Sequence, residues 1–146
     1  MNFLTTLLVF AFAVAQPNWI TDLNKGEKEA AVNNKMIILN FSGSDWCGPC
    51  IRLKKEIFSS DAFVNYATEK LVLVNADFPR YKKNALAKEQ VKENEALAEK
   101  YNPEGRFPFT VLLDSKGKVV KQWDGLPDET PEKFVDEIKS FNHASN

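Results

Sequence analysis

The order of apolar runs along the chain predicts an α/β fold, a central mixed sheet of about four strands with helices on both faces. Three observations lead there. The runs MIILNF (36–41), apolar but for Asn40, and LVLV (71–74) have the pattern of strands buried on both sides. The segments around them carry apolar residues at helical intervals. Near the end, two short strand-like runs flank Asp114-Ser115-Lys116-Gly117, a hairpin signal, and a last helical stretch follows. Crossover units joined to a terminal hairpin require a sheet with both parallel and antiparallel pairs.

Taken in order, residues 21–35 read as a helix opened by Thr21 or Asp22, with Leu23, Ala30 and Ala31 available for burial and Gly26 weakening it. Strand 36–41 then feeds directly into a loop holding both cysteines of the chain, Cys47 and Cys50. From Cys47 to about Phe58 the spacing of Ile51, Leu53, Ile57 and Phe58 suits a helix, with Arg52, Lys54, Lys55 and Glu56 on its wet side. Residues 59–70 form a second helical piece capped by Ser60 or Asp61, and strand 71–77 follows. Between Asp77 and Pro108 a long polar segment places Leu86, Val91, Leu97, Ala98 and Tyr101 at helical intervals, its many Lys and Glu residues forming a solvated face. Strands 109–113 and 118–123 make the hairpin. The closing helix starts with Thr130 as N-cap and Pro131 at its first position.

Composition bounds the function. A chain of 146 residues with 44% hydrophobic residues builds one core without help from disulfides. A net charge of −1 with interspersed lysines and glutamates offers no basic face for nucleic acid. The opening MNFLTTLLVFAFAVAQ has an uncharged apolar run from Phe3 to Ala15, too short to cross a bilayer, that ends in Ala13-Val14-Ala15. It reads as a cleaved secretory signal over 1–15, leaving a single domain over 16–146, exported and without a stable membrane anchor. Exported domains stapled by disulfides carry several pairs, whereas this chain has two cysteines three positions apart.

The pair is a staple, part of a metal site, or a reactive dithiol. A structural zinc site needs about four N or S ligands, and only His143 is available beside the cysteines. No metal and no other cofactor is therefore expected. A loop this short also removes little chain entropy, so a staple gains little. The strand-loop-helix context leaves the reactive reading: Cys47 lies at a helix N-terminus, where unpaired N–H groups favour a thiolate, and Cys50 lies one turn on, deeper against the sheet. Pro49 in the first turn stiffens the loop at little cost.

Strand, Trp46-Cys47-Gly48-Pro49-Cys50, helix, a later strand, and a proline before another strand together resemble the thioredoxin superfamily, over about 19–141. FSGSDWCGPC followed by LKKEIF, with the lengthened region after VNADFP, is similar to exported bacterial thioredoxin-like proteins grouped with the reductase domains of disulfide-interchange systems. The resemblance implies dithiol-disulfide exchange with protein cysteines, in the reducing or isomerising direction, in the periplasm. It implies Cys47 as nucleophile and Cys50 as resolving thiol. Asp45, Gly48 and Pro49 belong to the active loop. Trp46, Phe107 and a cis Pro108 make the substrate-binding face. Two positions depart from the family pattern. Asn40 stands where many relatives keep a buried aspartate that takes the resolving proton, and an amide cannot do so. Phe109 follows Pro108 where a small or hydroxylated residue is common. With no second cysteine pair, a membrane-bound thiol carrier is implied as electron donor. The competing reading is a non-catalytic redox-sensing or partner-binding module of the same fold, its surface supplied by 79–101.

Overall fold

The computed structural model describes residues 16–142; the expected signal segment and His143 lie outside the described residues. Its centre is β2 (Met36–Ser42), every residue of which is buried. On one side β2 pairs in parallel with β3 (Leu71–Asp77), and on the other antiparallel with β4 (Phe109–Leu113). β5 (Val119–Asp124) completes the hairpin with β4. The four expected strands are joined by a fifth, β1 (Trp19–Ile20), parallel to β3, so the sheet order is β1-β3-β2-β4-β5. Two residues are too few to show any alternation, so this edge strand left no sequence signal.

Because side chains alternate across a strand, β2 feeds two cores. Ile37, Leu39 and Phe41 pack with Val72, Val74, Val111 and Tyr101 beneath α1 (Leu23–Asn33) and α4 (Lys88–Tyr101). Met36 and Ile38 face α2 (Gly48–Leu53), α3 (Asp61–Lys70) and α5 (Pro131–Asn142). In that second core Phe134 is fully buried and packs against Phe58, Phe63 and Trp123.

Local chemistry explains the helix ends. Asp22 caps α1, its carboxylate accepting from the Lys25 N–H at 3.1 Å, and Ser60 and Thr130 cap α3 and α5 in the same way. Gly26, unfavourable in a helix by propensity, is explained by packing: a Cβ there would sit 3.1 Å from Val74 Cγ2. The helix expected over 47–58 is α2 followed by a π-helical turn, Lys54–Phe58, which seats both Ile57 and Phe58 in the core. In the polar segment only 88–101 is α-helical, preceded by a short 3₁₀ turn at Lys82–Asn84. Leu86 precedes α4 and Val91 is exposed, so their helical spacing did not mark core positions. Leu97, Ala98 and Tyr101 do pack on the core, and polar anchors add to them: Asn94 Nδ2 donates to the Asp77 carbonyl and the Tyr101 hydroxyl to that of Gly117, both at 2.8 Å.

The strand register gathers three loops at one end of the sheet. Ser42 lies opposite Asp77 and Phe41 opposite Phe109, so the segments after β2, after β3 and before β4 leave from adjacent points. Asp45 ties the first two together. Its carboxylate accepts from the backbone N–H of Arg80 and Tyr81 and from Asn84 Nδ2, at 2.9, 3.0 and 2.9 Å. Desolvation, the largest single influence, raises the Asp45 pKa, but the hydrogen bonds from Arg80, Asn84 and Tyr81 together outweigh it and hold the carboxyl below its usual value.

Two outcomes are expected. Phe134→Ala should lower the unfolding free energy by about 3–5 kcal/mol, read from the urea midpoint. The Asp45 clamp follows the sign for a depressed carboxyl: full above the unfolded pKa of about 3.9 and lost as pH falls through the lower folded value. Amide exchange at Arg80 and Tyr81, corrected for intrinsic rates, should quicken as pH drops through that window. Asp45→Asn should quicken it at neutral pH and flatten the acid dependence; unchanged protection at pH 7 would refute the clamp.

Candidate active site

β2 ends at Ser42, and Gly43 makes the turn on which the cysteine loop closes. Gly43 is required by close approach, since a Cβ there would lie 2.6 Å from the Trp46 indole nitrogen. Its carbonyl accepts from the Cys47 N–H at 2.9 Å. Cys47 is the N-cap of α2, in extended backbone, and its sulfur accepts from the Cys50 N–H at 3.3 Å. The Cys50 sulfur faces the Gly43 N–H at 3.5 Å. Cys47 and Cys50 are joined as a disulfide, Cα to Cα 5.2 Å, each 5% exposed. Gly48 and Pro49 lie between them on the exposed rim, Pro49 in the first turn where its missing N–H leaves no gap.

The neighbouring loops supply an aromatic wall. The Trp46 indole N–H donates to the Phe78 carbonyl at 2.7 Å, fixing the ring against the segment after β3. Phe107 stands edge-on to Trp46 at 5.5 Å and to Phe78 at 5.4 Å. The Phe107–Pro108 peptide is cis, and the Pro108 carbonyl accepts from the Gly125 N–H at 2.9 Å. Phe107 and Pro108, some sixty residues after Trp46 and the cysteines, thus meet them at the same sheet end. The Arg80 guanidinium lies over the Trp46 ring, 3.7 Å from its centroid.

Behind Cys50 a cavity of about 350 Å³ is lined by Asn40, Ser42, Asn75, Lys54 and Phe58 among others. Its polar floor is a single network. Asn40 Nδ2 donates to Asn75 Oδ1 at 3.0 Å while Asn40 Oδ1 accepts from the Thr110 hydroxyl at 3.1 Å. The Ser42 hydroxyl reaches both Asn75 Oδ1 and Asp77 Oδ1, and Asp77 also accepts from the Ser44 N–H and hydroxyl, at 2.9 and 2.5 Å. Asn40 is therefore a neutral group with both ends engaged. The nearest carboxylate of the network, Asp77, is bound into the Ser42–Ser44 loop.

Sequence reading singled out the cysteines, Trp46 and the Phe107-Pro108 pair but missed Asn75, Asp77, Phe78 and Arg80. The signal for Asp77 was register: it closes β3 as Ser42 closes β2, and parallel pairing makes them neighbours. Phe78 and Arg80 carried none, because a loop three residues past a strand has no fixed partner until the strand is placed. Among the described residues, no group of three or more His, Cys, Asp or Glu is placed to hold a metal ion, and no helix is long and apolar enough to cross a membrane.

Comparison with known proteins agrees with this geometry. A family model of the thioredoxin-like domain matches residues 23–142. The chain is 35% identical over 108 residues to the disulfide bond reductase DsbH of Chlamydia pneumoniae, covering 74% of this chain and 63% of that protein. It is 24% identical over 121 residues to the thioredoxin-related protein DsbJ of the same organism, covering 82% of this chain and 34% of that one. It thus spans less than two thirds of the length of either relative. A solved structure of a DsbH oxidoreductase superimposes with a TM-score of 0.79 at 29% identity, over 98% of this chain and 94% of that one. With its sheet order, its Cys47–Cys50 disulfide between β2 and α2 and this family match, the chain belongs to the thioredoxin superfamily.

Proposed function

We propose that the chain is an exported, periplasmic thiol-disulfide oxidoreductase that reduces or isomerises disulfides of protein substrates. The observation that carries this is the Cys47–Cys50 disulfide at the junction of β2 and α2, set beside Trp46, Phe107 and the cis Pro108. The names of its relatives, a disulfide bond reductase and a thioredoxin-related protein, point the same way.

In the reducing direction the Cys47 thiolate attacks one sulfur of a substrate disulfide. That S–S bond breaks, a mixed disulfide forms, and the first substrate sulfur leaves as a thiolate that takes a proton from water. Cys50, deprotonated, then attacks the Cys47 sulfur and releases the second substrate thiolate. Two electrons pass from the Cys47–Cys50 dithiol to the substrate, and the protein is left as the disulfide. Cys47 suits the attack because, as N-cap, its sulfur already accepts a backbone N–H. Cys50 has Asn40 in place of a buried carboxylate, so its proton goes to water in the adjoining cavity, with the Gly43 N–H facing the sulfur. A dithiol donor, for an exported protein a membrane-bound thiol carrier, returns the electrons.

Insulin reduction should be abolished by Cys47→Ser, and undiminished activity in that variant would sink the mechanism. Cys50→Ala should accumulate mixed disulfides with many proteins, whereas a non-catalytic module would trap one or none. The pair's reduction potential should fall near thioredoxin's, about −270 mV; a value near about −120 mV, that of strong oxidants, would reverse the direction.

A further inference from the structure

Segment 78–84 is fastened beside the cysteines from three directions. Asp45 holds the Arg80 and Tyr81 N–H groups and the Asn84 amide, the Trp46 indole holds the Phe78 carbonyl, and the Arg80 guanidinium lies over the Trp46 ring. A segment fixed in this way holds one place against the cysteine loop, at Asp45 and Trp46. Those side chains are basic: Arg80, Lys82 and Lys83 are all exposed, and among the described residues none has an ion-pair partner.

The nearby carboxylates do not cancel this charge by direct contact. Asp45 is engaged by its three donors and Asp77 by Ser42 and Ser44. The sheet order sets the other boundary. The loop after β3 lies on one side of the cysteine loop and the loop before β4 on the other. On the β4 side Arg106 is paired with Glu104 and with Asp124, so that side has no basic excess. The whole chain carries a net charge of −1, so the basic side is local. Arg80 is stacked by its face, which leaves its N–H edge available to a carboxylate, and Tyr81, 56% exposed on the same turn, offers an apolar contact beside it.

Building on the exchange reading above, we propose that Arg80, Lys82 and Lys83 form a cationic lip that favours substrate segments with acidic residues flanking the reactive cysteine. The lip acts on encounter and orientation of the substrate and takes no part in the sulfur chemistry.

The test uses the pre-reduced protein in single turnover, so its own dithiol supplies both electrons, against three disulfide peptides that differ only in flanking Asp, Ser or Lys. The Asp peptide should react about three- to tenfold faster than the Lys peptide at low salt, and the gap should close at about 0.5 M salt. Lys82→Glu with Lys83→Glu, which leaves the Arg80–Trp46 contact in place, should remove or invert the preference while the Ser peptide reacts at an unchanged rate. Arg80→Gln should reduce the preference. Equal rates for the Asp and Lys peptides, with the Ser peptide still reduced, would overturn the lip and leave the exchange reading standing. If none of the three is reduced, the exchange reading fails, and the selectivity built on it fails with it.

Discussion

Everything at the candidate site depends on the double pairing of β2. A strand buried on both faces has no freedom to slip, because moving one residue would carry Ile37, Leu39 and Phe41 into the opposite core. Its parallel partner fixes where β3 ends, and its antiparallel partner fixes where β4 begins. The cysteine loop, the segment after β3 and the Phe107-Pro108 turn therefore meet for a topological reason, before any contact between them is counted. The hydrogen bonds of Asp45 and the Trp46 indole refine a meeting that the register has already imposed.

The same register has a cost at the end of β2, where polar residues replace apolar ones. Asn40, Ser42 and Thr110 are buried, and a buried polar group left unpaired costs about 1–3 kcal/mol. The network with Asn75 and Asp77 offsets that cost, and among the described residues no buried side-chain polar atom is without a partner. Such a network is rigid because each member fixes the next. It lines the cavity beside Cys50 with the neutral side chains of Asn40, Ser42 and Asn75, while the network's carboxylate, Asp77, is held by Ser42 and Ser44.

How much of this was legible in the sequence depended on whether the signal was local. The strands of β2 to β5 and the caps Ser60 and Thr130 were visible because apolar runs and capping residues act over a few positions. Gly26 misled by propensity, since its reason is the close approach of Val74 across the helix-sheet interface. Leu86 and Val91 misled by periodicity, since α4 meets the core through Leu97, Ala98 and Tyr101 in its second half and is tied by Asn94 before them. At the site, the cysteine spacing was legible because the strand before it and the helix after it could be read as well. The partners of Asp45 lie 35 to 39 residues away, and no local pattern announces a loop clamped at that range.

The two halves of the site then follow different electrostatic rules. Cys47 caps α2, its sulfur accepting the Cys50 N–H, and the flanking segment adds exposed positive charge that salt can screen. Cys50 is buried, faces one backbone N–H and borders a cavity with no carboxylate among its lining residues. In a relative with a buried aspartate, the charge of that carboxylate opposes a neighbouring thiolate even as it accepts the proton. On the proposed exchange reading, Asn40 offers neither that charge nor a site for the proton, which goes to water. On the same reading, encounter with a charged substrate should respond to ionic strength, because the charges of the flanking segment are exposed, and release of the Cys50 proton should respond to pH, because it passes to solvent.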